Sequence, residues 1–459
     1  MTEVDTAATG SAASGGNDGT SLGLAALLAG TLVGTVSNNI VNVPLSDILA
    51  DFHAPLGNGV FVAVGFLVCF AAALPLAGWL GDRFGRRRVY CVSLVATAVC
   101  AIGAATAPSL PVLIVWRSVG GVAVAALSPP VMGLITSLFT GNRRGRALGA
   151  WASVNGLGQA IGPTVGGLVA GTWGWRWIFV PLVPVALIGL AGTLRYVPKF
   201  PGTAIPFDLP GALSLTAGSA LLMGGIAILP QPDRWVAAGC LVAALAVLAW
   251  FVWHCLRTGE PFVDVRLVAE SRYARSCLAA FAQMFCLGAT LLAVPLHLVA
   301  HGVSTSTAGL VLFALPVTMA VLAPFVGRWL DRLGGRRILR AGLIVLVAAQ
   351  CGLAAAVWGQ APRLPVLIGV LMVCGIGVAL VQTPAATGAT RSPAGSAGTG
   401  LGLFNLVRFG GSAIGAAWVA IASDLTEALH FSGYPMVFGV AAGMAALGLA
   451  GSFFGPDPV

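Results

Sequence analysis

Charge is what this chain has least of. Only 8% of its 459 residues are Asp, Glu, Lys or Arg, against about 25% in a soluble domain. It cannot clothe a water-facing globule. Disorder is excluded too, because that needs low hydrophobicity with high net charge, and 58% of these residues are hydrophobic. Lysine is nearly missing, with Lys199 standing among 24 basic residues. The nine cysteines fall singly at 69, 91, 100, 240, 255, 277, 286, 351 and 374. None has the Cys-x-x-Cys spacing of a metal or redox site, so they read as small core residues. None of the 15 acids falls at the middle of an apolar run. Residues 1–21 are small and polar and lack the basic start of a signal peptide; a disordered cytoplasmic tail is expected there.

What is present is apolar sequence in long stretches, giving a mean hydropathy of +0.93. Fourteen runs stand out, at roughly 22–45, 58–80, 89–107, 111–138, 147–170, 177–195, 208–229, 235–256, 274–300, 306–330, 338–358, 364–388, 397–422 and 435–454. Most are long enough to cross a ~30 Å hydrocarbon core as helices. Barrel strands would instead alternate apolar and polar residues over about ten positions. The expected fold is therefore an all-α integral membrane protein.

Orientation follows from the basic residues. With the N-terminus inside, 19 of the 24 fall in cytoplasmic loops and helix ends, three (Arg176, Arg234 and Arg363) fall outside, and Arg117 and Arg408 fall within spans. This is a strong positive-inside bias. It predicts a multi-pass protein of the cell membrane with both termini cytoplasmic, and it explains the net charge of +9 without nucleic acid.

The chain also repeats itself. Gly78-Trp79-Leu80-Gly81-Asp82-Arg83-Phe84-Gly85-Arg86-Arg87-Arg88 follows the second run. Gly327-Arg328-Trp329-Leu330-Asp331-Arg332-Leu333-Gly334-Gly335-Arg336-Arg337 follows the tenth. Leu110 to Ile114 recurs as Leu364 to Ile368, and Gly158, Ala160, Ile161 and Gly162 recur as Gly411, Ala413, Ile414 and Gly415. An offset near 250 residues equals eight spans. Two six-helix repeats with two helices inserted between them are expected: a bundle over 22–200, an inserted pair and linker over 201–272, and a second bundle over 273–459. Repeats of this kind mark secondary transporters, which rock one half against the other around a midplane site.

At these residues the chain resembles the major facilitator superfamily, and within it the fourteen-helix drug/proton antiporters. The resemblance covers nearly the whole chain from about residue 22. It rests on Gly78–Arg87, on Arg117-x-x-x-Gly121, and on Gly158-Gln159-Ala160-Ile161-Gly162-Pro163-Thr164-Val165-Gly166-Gly167. Trp175-Arg176-Trp177-Ile178-Phe179 and Asn405-x-x-Arg408-x-Gly410-Gly411 also match. It implies the major-facilitator fold, alternating access, and export of a drug, antibiotic or secondary metabolite.

The motifs carry physical content. Gly85 permits a tight turn, and Asp82 favours a nearby helix N-terminus. The resemblance makes this loop a latch between the halves, with Gly78, Arg83 and Arg86 beside it and Asp331 and Arg332 in its second copy. The alternative is a basic loop that sets topology alone. Gly158, Gly162 and Gly166, with Gly167 alongside, form a stripe without side chains that lets helices approach closely, and Pro163 bends the helix beside it. This is a gating hinge by resemblance, or plain tight packing.

Arg117 and Arg408 are ionisable groups at depth, costly and by default functional, or else structural glue to backbone carbonyls. Asn155 is the symmetry mate of Arg408, with Gln159 one turn on and Asn405 near Arg408. In the first span Thr31, Thr35, Asn38 and Asn42 share one face, with Asn39 adjacent; they line a cavity or bond between helices. Together Asn38, Asn39, Asn42, Arg117, Asn155, Gln159, Asn405 and Arg408 form the candidate substrate cavity.

The pattern departs from the family at Ser37, where the resemblance leads one to expect an aspartate. Two buried arginines without a mid-depth acid favour a neutral or anionic amphiphile over an organic cation. Proton coupling would then need Asp47, His254 or protonation of the substrate, with an interfacial role as the plainer reading of His254. The histidines show no grouping for catalysis or metal binding, so no enzyme, metal or cofactor is expected. The proton motive force is the expected energy source, and the expected state is a monomer whose partners are a small-molecule substrate and the lipid bilayer. The runner-up is an importer or uncoupled facilitator on the same fold.

Overall fold

A computed structural model describes residues 13–41, 44–54, 56–229, 234–358, 363–429 and 433–455. Those residues form helices joined by short loops and one longer strap at 197–208, with no strand among them. The first part holds α1 (Ala13–Asn39), α2 (Leu45–Asp51), α3 (Leu56–Phe84), α4 (Arg86–Ala105), α5 (Leu110–Ala125), α6 (Ser128–Leu138), α7 (Gly141–Trp173) and α8 (Leu182–Tyr196). Then come α9 (Leu209–Ile228), α10 (Arg234–Arg257) and the short α11 (Val265–Val268). The last part holds α12 (Ser271–Ala300), α13 (Thr305–Leu312), α14 (Ala314–Leu333), α15 (Gly335–Ala356), α16 (Leu364–Arg391), α17 (Gly398–Leu429) and α18 (Gly433–Gly451).

Among the described residues twelve helices are long and apolar enough to cross a membrane, thirteen if the bent pair α13–α14 counts as one. The expected run at 147–170 lies in α7, a 33-residue helix outside that count. Its seven glycines from 145 to 167, with Asn155 and Gln159, dilute its apolar character. It is nonetheless packed between α1 and α14.

Two runs that read as single spans are broken. The run at 111–138 restarts at Ser128-Pro129-Pro130, because each proline lacks the N–H that would bond four residues back. The span made by α13 and α14 bends by 50° inside α14, between the segments Thr307–Leu322 and Pro324–Leu333, for the same reason.

The sequence repeat reappears as a repeat of packing. In the first part α1 packs on α7 and α8, α3 on α5, and α4 on α5 and α8. In the last part α12 packs on α17 and α18, α14 on α16, and α15 on α16 and α18. The halves meet through α3 against α17 and α7 against α14. Helices α9 and α10 pack on each other, and α9 covers the α3–α17 seam through Leu215 and Met223 against Phe70, Leu406 and Phe409.

Turning glycines close both repeat loops. Gly85 has φ +93° and Gly334 φ +83°, values that only glycine adopts without strain. The arginines that follow serve as caps. Arg87 donates to the Leu194 carbonyl at the end of α8 (2.6 Å), and Arg336 donates to Ser452 and Phe453 after α18 (3.0 and 2.9 Å). In each half an arginine of the repeat loop thus bonds to carbonyls at or just past the end of the last helix.

Candidate functional site

Two layers of interest lie along the seam. The first is at the arginine-rich end. The Asp82 carboxylate accepts from the Gly398 N–H at the start of α17 and from Arg86 Nε at 2.9 Å. Arg86 also donates to the Ser396 carbonyl across the seam (3.2 Å). A Cβ on Gly78 would run into the Gly398 backbone, and one on Gly402 would meet Leu74 and Pro75. Close approach of α3 and α17 therefore requires glycine on both sides.

The second copy is built alike and is less completely bonded. Asp331 lies beside Gly145 near the start of α7, where a Cβ would come within 3.3 Å of the carboxylate. Gly327 faces the Gly145–Arg146 backbone as Gly78 faces Gly398. Where the first loop has Arg86 the second has Gly335, so Asp331 lacks that neighbour. Arg144 ties the same end of α7 to the Thr390 carbonyl of α16 at 2.6 Å. Arg83 and Arg332 are exposed; the Arg83 carbonyl lies against Gly202 of the strap to α9. That strap is bonded down by Thr203 N–H to the Asp82 carbonyl (2.9 Å) and Trp79 Nε1 to Pro206 (3.3 Å).

The second layer is at mid-depth. Asn155 Oδ1 accepts from Gln159 Nε2 at 2.9 Å, from Gln382 Nε2 at 3.3 Å and from Arg408 Nη2 at 3.3 Å. Gln382 is on α16 and Arg408 on α17, so two of the three bonds cross the seam. The Arg408 guanidinium lies over the rings of Phe409 (4.5 Å) and Trp151 (5.1 Å). Beside this knot is a narrow cavity of about 20 Å³, room for a water or two, walled by Thr31, Thr35, Asn38, Phe70, Trp151 and Phe409 among others.

Not every expected cavity residue gathers here. Asn38 lines the cavity with Asn155 and Gln159. Asn39 turns to its own helix, donating to the Thr35 carbonyl at 3.1 Å, and Asn42 lies outside the described residues. Asn405 is fully buried and donates to the Leu401 carbonyl (2.9 Å) and Met132 Sδ (3.4 Å). Arg117 is 4% exposed, donates to the Ser37 carbonyl at 2.9 Å and lies 4.3 Å over the Phe66 ring.

Gly158, Gly162 and Gly166 face Thr35, Asn39 and Ile40 of α1, and Gly411 and Gly415 face Phe281 and Phe285 of α12. Both stripes join helices inside one half. Pro163 and Gly167 are half-buried on α7. Asp47 is exposed on α2 at the opposite end. Nearby Asp51 accepts from Arg176 and from Trp175 Nε1, which hold its carboxyl below the ordinary range.

His254 sits at the arginine-rich end, 2.9 Å from Asp208 and stacked on Trp250. Asp208 caps α9. Burial alone would raise its pKa, but N–H bonds from Gly211 and Phe262 and the His254 contact hold it below the ordinary value. The single Gly-x-Ser-x-Gly spacing in the chain, Gly19–Gly23, lies inside the continuous helix α1 and is no nucleophile elbow, which needs a strand before it.

Gln382, Trp151, Phe70 and Phe409 were not distinguished by sequence, since a lone glutamine or aromatic in an apolar run is ordinary. Gly398 was findable: the 253-residue offset that pairs Asn155 with Arg408 also pairs Gly145 with Gly398.

The sequence profile of the Major Facilitator Superfamily matches residues 26–416. The chain belongs to that superfamily. It is a multi-pass membrane transporter and not an enzyme. The chain is 31% identical over 385 residues to multidrug resistance protein Stp of Mycobacterium tuberculosis, covering 82% of this chain and 71% of Stp. Drug efflux pump JefA of the same organism is 31% identical over 388 residues, covering 83% of this chain and 76% of JefA. Among solved structures, the proton:xylose symporter XylE superposes with a TM-score of 0.69 at 16% identity, covering 95% of both chains. The human organic anion transporter MFSD10 gives 0.66 at 17% identity, covering 94% and 99%. At such identities the likeness is one of fold.

Proposed function

We propose that this chain is a fourteen-span exporter of small amphiphilic molecules, working by alternating access and driven by the proton gradient. The count adds α7 to the thirteen apolar spans, with α9 and α10 as an inserted pair at the seam between six-helix bundles. The arginine-rich end is cytoplasmic by the positive-inside rule, with both termini there. In that frame Asp82, Arg86 and Arg144 close the cytoplasmic side.

The observation that carries the mechanism is the latch. The Asp82 carboxylate of one half holds the N-terminal N–H of α17 in the other, a charge–dipole bond that rocking must break and remake. The relatives named for drug resistance and efflux support the direction. Trp151, Phe70 and Phe409 give the cavity an apolar wall, and Asn38, Asn155 and Gln159 a polar one, as an amphiphile requires.

Reconstitution in liposomes with imposed pH gradients of either sign tests this. A gradient that drives proton exchange should accumulate an amphiphile against its own gradient, and the reversed gradient should not. Movement that ignores the pH gradient would instead support an uncoupled facilitator. One observation favours that second reading: Arg117 is bonded to the carbonyl of Ser37, at the position where an aspartate was expected.

A further inference from the structure

The two buried arginines differ in what holds them. Arg117 on α5 bonds to α1 within one half, so rocking leaves that bond intact. Arg408 is 1% exposed, and its one hydrogen bond among the described residues reaches Asn155 across the seam. Its Nε and Nη1 are buried without an acceptor. No carboxylate pairs with it among the described residues. Asn155 Oδ1 meanwhile faces three donors, although an amide oxygen has only two lone pairs. A buried guanidinium with two unpaired nitrogens, sharing one neutral amide oxygen with two other donors, is costly until an anion completes it.

We propose that Arg408 is an anion-binding side chain, and that the Asn155 amide oxygen holds the place of an anionic group on the transported molecule. When the halves part, the Arg408–Asn155 and Gln382–Asn155 bonds break together. Arg408 then faces the opened cavity with its fork of donors free, and a carboxylate fits that fork with two parallel bonds. The apolar body of the same molecule lies against Trp151, Phe70 and Phe409, which already line the cavity. When the halves close without substrate, Asn155 returns to the guanidinium. The inference rests on reading this cavity as the transport site, and it narrows the substrate class to amphiphilic anions.

The test uses the full chain and two probes, N-dansyl-phenylalanine and its uncharged primary amide, in binding and in proteoliposome uptake. The parent should prefer the carboxylate by about tenfold or more, the scale of one charge-assisted hydrogen bond. Arg408→Gln should lose that preference, the carboxylate weakening far more than the amide, and Arg408→Lys should recover part of it. Asn155→Asp places a permanent carboxylate beside Arg408 and should weaken the anionic probe more than the amide. The inference falls if the parent prefers neither probe, if Arg408→Gln loses both equally, or if Asn155→Asp leaves carboxylate binding unchanged. A parent that moves neither probe but binds the carboxylate through Arg408 sinks the export reading and spares the anion site. One that moves the amide and is indifferent to Arg408→Gln does the reverse.

Discussion

Asp82 joins three pieces of chain through one side chain and its own carbonyl: the start of α17, Arg86, and the strap leading to α9. Asp82→Asn keeps the shape and removes the charge, and should weaken the seam by about 1–2 kcal/mol. That corresponds to a roughly 5–30-fold shift toward the state open at this end. A cysteine at Thr399, buried beside the latch, should then label faster from the arginine-rich side; unchanged labelling would mean the latch does not set the balance.

Asp208 gives a prediction in pH. Its folded pKa lies below the ordinary carboxylate value. Its contribution is therefore fully present above that value and is lost as pH falls through the folded pKa. Thermal stability in detergent should hold to about pH 4 and fall below it. Asp208→Ala should be less stable at pH 7 and show a shallower acid limb.

At the scale of the helix pair, glycines divide by what they face. A Cβ on Gly166 would run into the Ile40 carbonyl, whereas Gly171, five residues on, has open space. Gly166→Val should destabilise the α1–α7 contact by about 1–3 kcal/mol, as over-packing does. Gly171→Ala should be neutral or slightly stabilising. Melting temperatures of the two variants compare them directly. The sequence displayed the stripe but not its partner. Small-x-x-x-small spacing says that a helix approaches closely; it does not say whether the neighbour belongs to the same half or the opposite one. The packing of Gly158, Gly162 and Gly166 on α1 answers that. The broken runs teach the same lesson. Ser128-Pro129-Pro130 and Pro324 were visible as breakers, yet apolarity alone joined the pieces, because hydropathy does not register a missing N–H.

For the whole molecule, closure at the arginine-rich end depends on backbone meeting backbone at Gly78 and Gly398. Gly78→Leu should act as a wedge. Transport should fall by more than about tenfold, since the cost of forcing a side chain into that contact exceeds 1.4 kcal/mol. The protein should remain folded in detergent, with the Thr399 cysteine open to labelling. If Gly78→Leu transports normally, closure through this contact is not part of the cycle. Asp331 has no arginine at position 335 and lies near Arg146 and Arg391 instead; with no counterpart among the described residues to the Gly398 N–H bond of Asp82, Asp331→Asn should shift labelling less than Asp82→Asn does.

Much of this was fixed by the one-dimensional sequence. The apolar runs decide that the solvent is lipid, because no polar surface exists to face water. The 249–254-residue offsets decide that there are two related halves, because matching residues at matching spacing fold alike. The positions of the basic residues predict the orientation. The repeat offset paired Asn155 with Arg408, but the bond between them, and the part Gln382 takes in it, was settled only in three dimensions. Those residues are separated by 227 and 253 positions, and no local pattern carries information over that distance. Tertiary packing also separated the two buried arginines, joining one to its own half and the other across the seam between the halves. Burial follows from composition, but the partner of a buried charge depends on which helices close around it.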